Sequence, residues 1–187
     1  MYKKIFWLFL IVAITAILIS CWKEDYKITN VRFLAADTTT IGKILYYKRA
    51  DTLKKSFNFA IEVEGDYVAH NNDVFITSAH AMRRGKNILN DIIQSSYTIS
   101  LDKDFIYAGT VIKANTNLFS IPSINKEISV SKNEWAYLFS SQHRVFKFTR
   151  TFNDNIAIAQ GIYKIFFSCQ TTQNEIFKDS IQVYINH

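Results

Sequence analysis

Gly161-Ile162-Tyr163-Lys164-Ile165-Phe166-Phe167-Ser168-Cys169-Gln170-Thr171 carries the clearest pattern in the chain. Tyr163, Ile165, Phe167 and Cys169 recur at every second position. That is the period of an extended chain, whose successive side chains point to opposite faces. A short polar connection, Thr172-Gln173-Asn174, leads into a second run with Phe177, Ile181, Val183 and Ile185 on one face. Two apolar-faced runs joined by a few turn residues predict an antiparallel hairpin at the C-terminal end.

Upstream, the same period recurs. Phe57, Phe59, Ile61 and Val63 alternate with Asn58, Ala60 and Glu62, as a half-buried antiparallel strand requires. From Ile28, residues Val31, Phe33 and Ala35 alternate less cleanly, and Lys43 to Lys48 reads as another extended piece. Val74-Phe75-Ile76 reads as a strand, and His80 to Asn90 has no period and reads as a long connection. Alternation returns through Ile93, Ser95, Tyr97, Ile99 and Leu101. Phe105 to Lys113 reads as extended past Gly109, and Phe146, Phe148 and Phe152 as one strand. Ser131-Lys132-Asn133-Glu134 has capping-box spacing ahead of Trp135, Tyr137, Leu138 and Phe139, which predicts a short helix over 132–140. Seven or eight short strands closed by a hairpin predict an all-β fold, a single antiparallel β-sandwich with one or two short helices in its connections. Gly161-Ile162-Tyr163 resembles the tyrosine corner of immunoglobulin-like sandwiches. The resemblance implies that the Tyr163 hydroxyl ties its strand to backbone upstream. Ile165 stands where antibody domains carry a cysteine.

The other end of the chain decides location. Lys3 and Lys4 precede an apolar run, Ile5 to Ile19, interrupted only by Thr15. A spanning helix needs about 20 apolar residues, so this run is short for a permanent anchor and has the form of a secretory signal. Leu18-Ile19-Ser20-Cys21 at its end resembles the bacterial lipobox. The resemblance implies cleavage between Ser20 and Cys21 and a diacylglyceryl thioether on the Cys21 sulfur. Two or more acyl chains anchor stably, at about 0.8 kcal/mol per buried CH2, where one binds only marginally. Lys23-Glu24-Asp25 resembles the Lys-plus-acidic surface-export signal of Bacteroidetes-type lipoproteins. The domains expected are a cleaved signal peptide at 1–20, a lipidated Cys and tether at 21–27, and a β-sandwich at 28–187.

Composition narrows the partners. The chain has 22 basic and 16 acidic residues. Without Lys3 and Lys4 this leaves 20 against 16, a net charge of about +4. The basic residues are scattered, apart from Arg83-Arg84-Gly85-Lys86, which reads as a solvated turn. No nucleic-acid partner is expected, because such a face needs a longer basic stripe. Of two cysteines the lipid takes Cys21, so Cys169 has no intramolecular disulfide partner and reads as a buried free thiol. The chain has fifteen Phe and ten Tyr, and those beyond residue 20 are then the material of the core.

Taken whole, the chain resembles Bacteroidetes lipoproteins carrying a β-sandwich domain of unknown function. The resemblance rests on the lipobox, on Thr77-Ser78-Ala79-His80-Ala81, and on Asp104-Phe105-Ile106-Tyr107-Ala108-Gly109-Thr110 with Asn117-Leu118-Phe119. It implies an outer-membrane, lipid-anchored protein and carries over no catalytic residue. Val74 to His80 is similar to the histidine segment of chymotrypsin-type proteases, and Asp154-Asn155-Ile156 to the aspartate segment. The only serine to complete them, in Asp179-Ser180, lacks the glycines that build an oxyanion hole. His70, Asn72, Asp73 and His80 have no metal-ligand spacing, and Asp102-Lys103-Asp104 lacks the further carboxylates of a calcium loop. The expectation is a non-enzymatic domain without metal or cofactor, held to the membrane by Cys21, with a protein or glycan partner not identified. The alternatives are a carbohydrate- or peptide-binding module using Trp135, Tyr46 and Tyr47, and a serine hydrolase using His80.

Overall fold

The computed structural model describes residues 24–41, 44–54, 57–68, 86–133 and 141–186. In chain order the strands are β1 (Glu24–Ile41), β2 (Ile44–Arg49), β3 (Thr52–Lys54), β4 (Asn58–Tyr67), β5 (Lys86–Ile88), β6 (Thr98–Leu101) and β7 (Phe105–Tyr107). They continue with β8 (Thr110–Ile112), β9 (Ile128–Asn133), β10 (Ser141–Phe148), β11 (Ile156–Ala157), β12 (Gly161–Gln170) and β13 (Ile176–Asn186). Among the described residues two short helices, α1 (Pro122–Asn125) and α2 (Arg150–Asn155), and two 3-10 turns, Gln94–Ser96 and Leu118–Ser120, lie in connections. The protein is all-β, as the alternation predicts.

The chain divides into two compact units. In the smaller, Met1–Lys27 with Asp66–Leu89, the first residues of β1 run parallel to β5, Glu24 opposite Lys86 and Tyr26 opposite Ile88. The Tyr26 carbonyl accepts from the Leu89 N–H, and the Asp25 carbonyl from the Val68 N–H, each at 2.9 Å. Glu24 to Lys27, read as tether, are therefore strand. Lys86 to Ile88, read as loop, are also strand, because parallel pairing to a distant segment needs no local period.

The larger unit, Ile28–Gly65 with Asn90–His187, holds the sandwich. One sheet has the order β2-β1-β4-β10-β9, and a second has the order β3-β13-β12-β6. The expected C-terminal hairpin is β12–β13, antiparallel from Gly161 opposite Ile185 to Gln170 opposite Ile176. The sheets meet through aromatic rings. Phe33 of β1 stacks on Phe167 of β12 at 5.0 Å, and Phe146 of β10 reaches the same ring at 5.8 Å. Tyr97 lies edge-on to Phe146 at 5.0 Å. Such pairs add about 0.5–1.5 kcal/mol each beyond the area they bury. Phe57, Phe59, Ile61 and Val63 are buried as read, but Ala60 is buried as well. With Leu34, Ala36 and Val145 it forms an apolar cluster on the opposite face of the first sheet.

A third sheet, β11-β7-β8, closes one end with α2. Phe152 of α2 stacks on Tyr107 at 5.3 Å and meets Phe148 at 4.6 Å and Phe57 at 5.8 Å. Phe152 is thus helical and does not continue the strand of Phe146 and Phe148. The Thr149 hydroxyl oxygen accepts the Phe152 N–H at 3.2 Å, an N-cap that ends β10 and starts α2. Phe105 to Lys113 is not one extended piece either. It folds back at Ala108-Gly109, with φ of 48° and 80°, into the hairpin β7–β8. Positive φ at both central residues is the type I′ geometry whose twist matches paired strands. The helix read over 132–140 also fails where it is described. Lys132 and Asn133 complete β9, opposite Arg144 and His143, while residues 134–140 lie outside the described residues, as does Val74-Phe75-Ile76.

Candidate functional site

Among the described residues, three of the four buried polar ones, Asn90, Arg144 and Thr171, gather at the end of the sandwich away from α2. On β10, alternation places Arg144, Phe146 and Phe148 on the core face, so a guanidinium enters the interior in line with two phenyl rings. Its Nη2 donates to Asp91 Oδ1 at 2.6 Å. Its Nη1 donates to the Tyr97 hydroxyl at 2.5 Å and to the Ile92 carbonyl at 3.5 Å. Nε is buried with no hydrogen-bond partner among the described residues. The pair is lopsided: the Arg144 side chain is 2% exposed and that of Asp91 is 42% exposed. Water therefore reaches the carboxylate, while the cation relies on protein partners.

The backbone around this pair is stitched tightly. Asn90 Oδ1 accepts the Ile28 N–H at 2.6 Å, and its Nδ2 donates to the Ile28 carbonyl at 3.1 Å and to Glu175 Oε2. Ile93 N–H donates to the Gln170 carbonyl and Thr172 N–H to the Asp91 carbonyl, each at 2.9 Å. The Gln170 N–H donates to Ser96 Oγ at 2.8 Å. Residues 90–97 are thus sewn onto β1 and onto the tip of the β12–β13 hairpin.

Burial sets the electrostatics. Desolvation raises the Tyr97 phenol above its usual value, and the neighbouring Arg144 opposes this. Desolvation pushes the free, buried Cys169 thiol up to about 11, again against the pull of Arg144. A thiol held protonated is a poor nucleophile and a weak metal ligand. The arrangement is suited to clamping backbone.

Most residues singled out from sequence serve the scaffold. The Tyr163 hydroxyl donates to the Ala159 carbonyl at 2.8 Å, the tie to upstream backbone that the tyrosine-corner resemblance implies. Asp104 Oδ1 accepts the Ala114 N–H at 2.7 Å, and Oδ2 pairs with Lys113 Nζ at 2.9 Å. These two donors hold its carboxyl below the usual range. Asn117 Oδ1 accepts the N–H groups of Ile99 and Phe119, at 3.2 and 3.1 Å, which covers the outer edge of β6 and caps a 3-10 turn. Asp179 points inward on β13, where its Oδ2 accepts the Phe33 N–H at 2.7 Å and its Oδ1 the Ser180 N–H. Asp154 lies in α2, paired at the surface with Arg150.

Ser20, Cys21, Lys23, His70, Asn72, Asp73, His80 and Trp135 lie outside the described residues, and Tyr46 and Tyr47 are on β2. Of the export tripeptide, Glu24 and Asp25 are in β1. Among the described residues no three His, Cys, Asp or Glu are placed to hold a metal ion, and no helix is long and apolar enough to cross a membrane. Sequence reading missed Arg144, although the alternation in Arg144-Val145-Phe146-Lys147-Phe148 puts it on the apolar face. No family model matches the chain, and no curated protein or solved structure matches it.

Proposed function

We propose that the chain is a lipid-anchored protein of the bacterial outer membrane whose immunoglobulin-like β-sandwich binds or scaffolds and does no chemistry. The observation that carries the anchor is Leu18-Ile19-Ser20-Cys21 closing a short apolar run behind Lys3 and Lys4. The immunoglobulin-like reading draws on the Tyr163–Ala159 tie. The non-catalytic reading draws on how the described acids are engaged: Asp91, Asp104 and Asp179 each hold a backbone N–H or a cation of the scaffold.

Growth on radiolabelled palmitate tests the anchor. The chain is expected to take up label and Cys21→Ala to lose it, and label that survives the substitution overturns the assignment. Protease shaving of intact cells tests the role of Lys23-Glu24-Asp25. Cleavage before lysis is expected, and resistance until lysis removes the surface-export part of the reading. Covalent labelling by a fluorophosphonate would replace the non-catalytic reading with the hydrolase.

A second reading, a carbohydrate-binding surface module, is favoured by the character of the outer face of the sheet β3-β13-β12-β6, where exposed Ile162 and Tyr184 sit among polar side chains.

A further inference from the structure

We propose that the outer face of the sheet β3-β13-β12-β6 binds an anionic polysaccharide, one whose sugar rings carry carboxylates. Because Tyr163, Ile165, Phe167 and Cys169 face the core, alternation turns Ile162, Lys164, Phe166 and Ser168 of β12 outward. The register of β13 sets a partner beside each: Tyr184 opposite Ile162, Gln182 opposite Lys164, Ser180 opposite Phe166, and Lys178 opposite Ser168. Successive rows are about 7 Å apart along the strands.

Three properties of these rows specify the ligand. First, apolar and aromatic surface lies in the open: Ile162 is 54% exposed and Tyr184 is 39% exposed. The Tyr184 hydroxyl accepts from Gln160 Nε2 at 2.6 Å, which fixes the ring. Second, the Ile162–Tyr184 pair and Phe166 are separated along the strands by groups that bond polar hydroxyls. Ser100, which pairs opposite Phe166, Ser180 and Gln182 have side chains with no partner among the described residues. A bilayer or a dry protein interface makes no use of such an alternation, whereas a sugar presents an apolar ring face and a polar rim together. Third, the face is cationic. Lys178 has no partner among the described residues, and Lys164 Nζ lies 5.3 Å from the Phe166 ring centroid.

Two of the nearby acids are engaged elsewhere. Asp179 points into the core, and Glu175 holds Asn90. Asp102 ends the Lys164 row with Oδ1 buried, and Asp51 lies at the margin beside β3. Two ammonium groups flanking an aromatic ring are therefore complementary to a polymer bearing carboxylates.

The inference deepens the second reading of function, but its test does not depend on the lipid. Full-length chain in mild detergent is run through native gels containing alginate, containing neutral dextran, or without polymer. In parallel it is sedimented with phosphatidylglycerol vesicles. Retardation by alginate and not by dextran is expected, weakening as salt is raised. Lys164→Glu with Lys178→Glu is expected to weaken the alginate interaction by about tenfold or more. Tyr184→Ala is expected to weaken it several-fold, and Val111→Ala, on the exposed face of the third sheet, to leave it unchanged. Melting temperature is measured for each variant. If Tyr184→Ala melts early, the lysine pair decides, since both side chains are exposed. Absence of retardation, retardation indifferent to the lysine pair, equal binding of dextran, or binding to vesicles alone overturns the proposal. A chain that takes up palmitate yet ignores alginate fails here while its anchor stands.

Discussion

Strand β10 carries three core-facing side chains in succession, Phe148, Phe146 and Arg144, and its two ends are held by opposite kinds of force. At Phe148 the interior is a nest of rings: Phe57, Phe59, Phe148, Phe152 and Tyr107. Four residues away, about 14 Å along the strand, it is an ion pair tied to a phenol and a carbonyl. The apolar end gains from non-directional burial, so each ring contributes on its own and a neighbour can partly take its place. The polar end is conditional. Arg144 is stable inside only while Asp91 and Tyr97 stay where they are, because an unpaired buried cation costs several kcal/mol. One end of the core is tolerant of small changes, and the other is specific.

The largest loss is expected at the centre of β10. Phe146→Ala, which empties the ring packed against Tyr97, Phe119 and Phe167, is expected to cost about 3–5 kcal/mol by urea unfolding. A loss below about 1 kcal/mol would mean that the two sheets are not joined there.

Next comes the asymmetry of the polar end. Asp91→Ala strands the guanidinium and is expected to cost about 2–3 kcal/mol, less than a fully buried pair because water reaches Asp91. Arg144→Met removes the charge as well as the ion pair and is expected to lie within about 1 kcal/mol of wild type. Equal losses from the two substitutions would show that the pair itself stabilises, and would move the polar end toward the apolar one in kind.

The smallest effect concerns pH. The Cys169 thiol titrates near 9 when unfolded and near 11 in the folded chain, so the unfolded state releases its proton first as pH rises. Its contribution to stability is complete below pH 9 and is lost between pH 9 and 11. Tyr97 acts in the same direction at higher pH. Cys169→Ala is expected to flatten the alkaline limb over that interval by up to about 2 kcal/mol. An unchanged alkaline limb would place the thiol in contact with water.

The errors of sequence reading follow the same division. Alternation found β12, β13 and the core face of β4, because period two is imposed by the strand on its own side chains. It joined Phe152 to the strand of Phe148, since a phenyl ring serves equally well from a helix that returns it to the same nest. It ran Phe105 to Lys113 straight, since Ala108 at φ 48° is an uncommon turn residue and gives no warning. It read Asp104, Asn117 and Asp179 as markers or candidates for chemistry, when their oxygens accept backbone N–H groups.

The strands of the terminal hairpin, the aromatic make-up of the core and the thiol among it are legible in the sequence. These are local properties, written in period and composition. Folding alone brings Arg144 inside with Asp91 and Tyr97, separated from it by 53 and 47 positions, and lets Asn90 hold Ile28 across 62. The physical reason is that a buried charge is set by its partners, and a β-sandwich draws those partners from strands far apart in the chain.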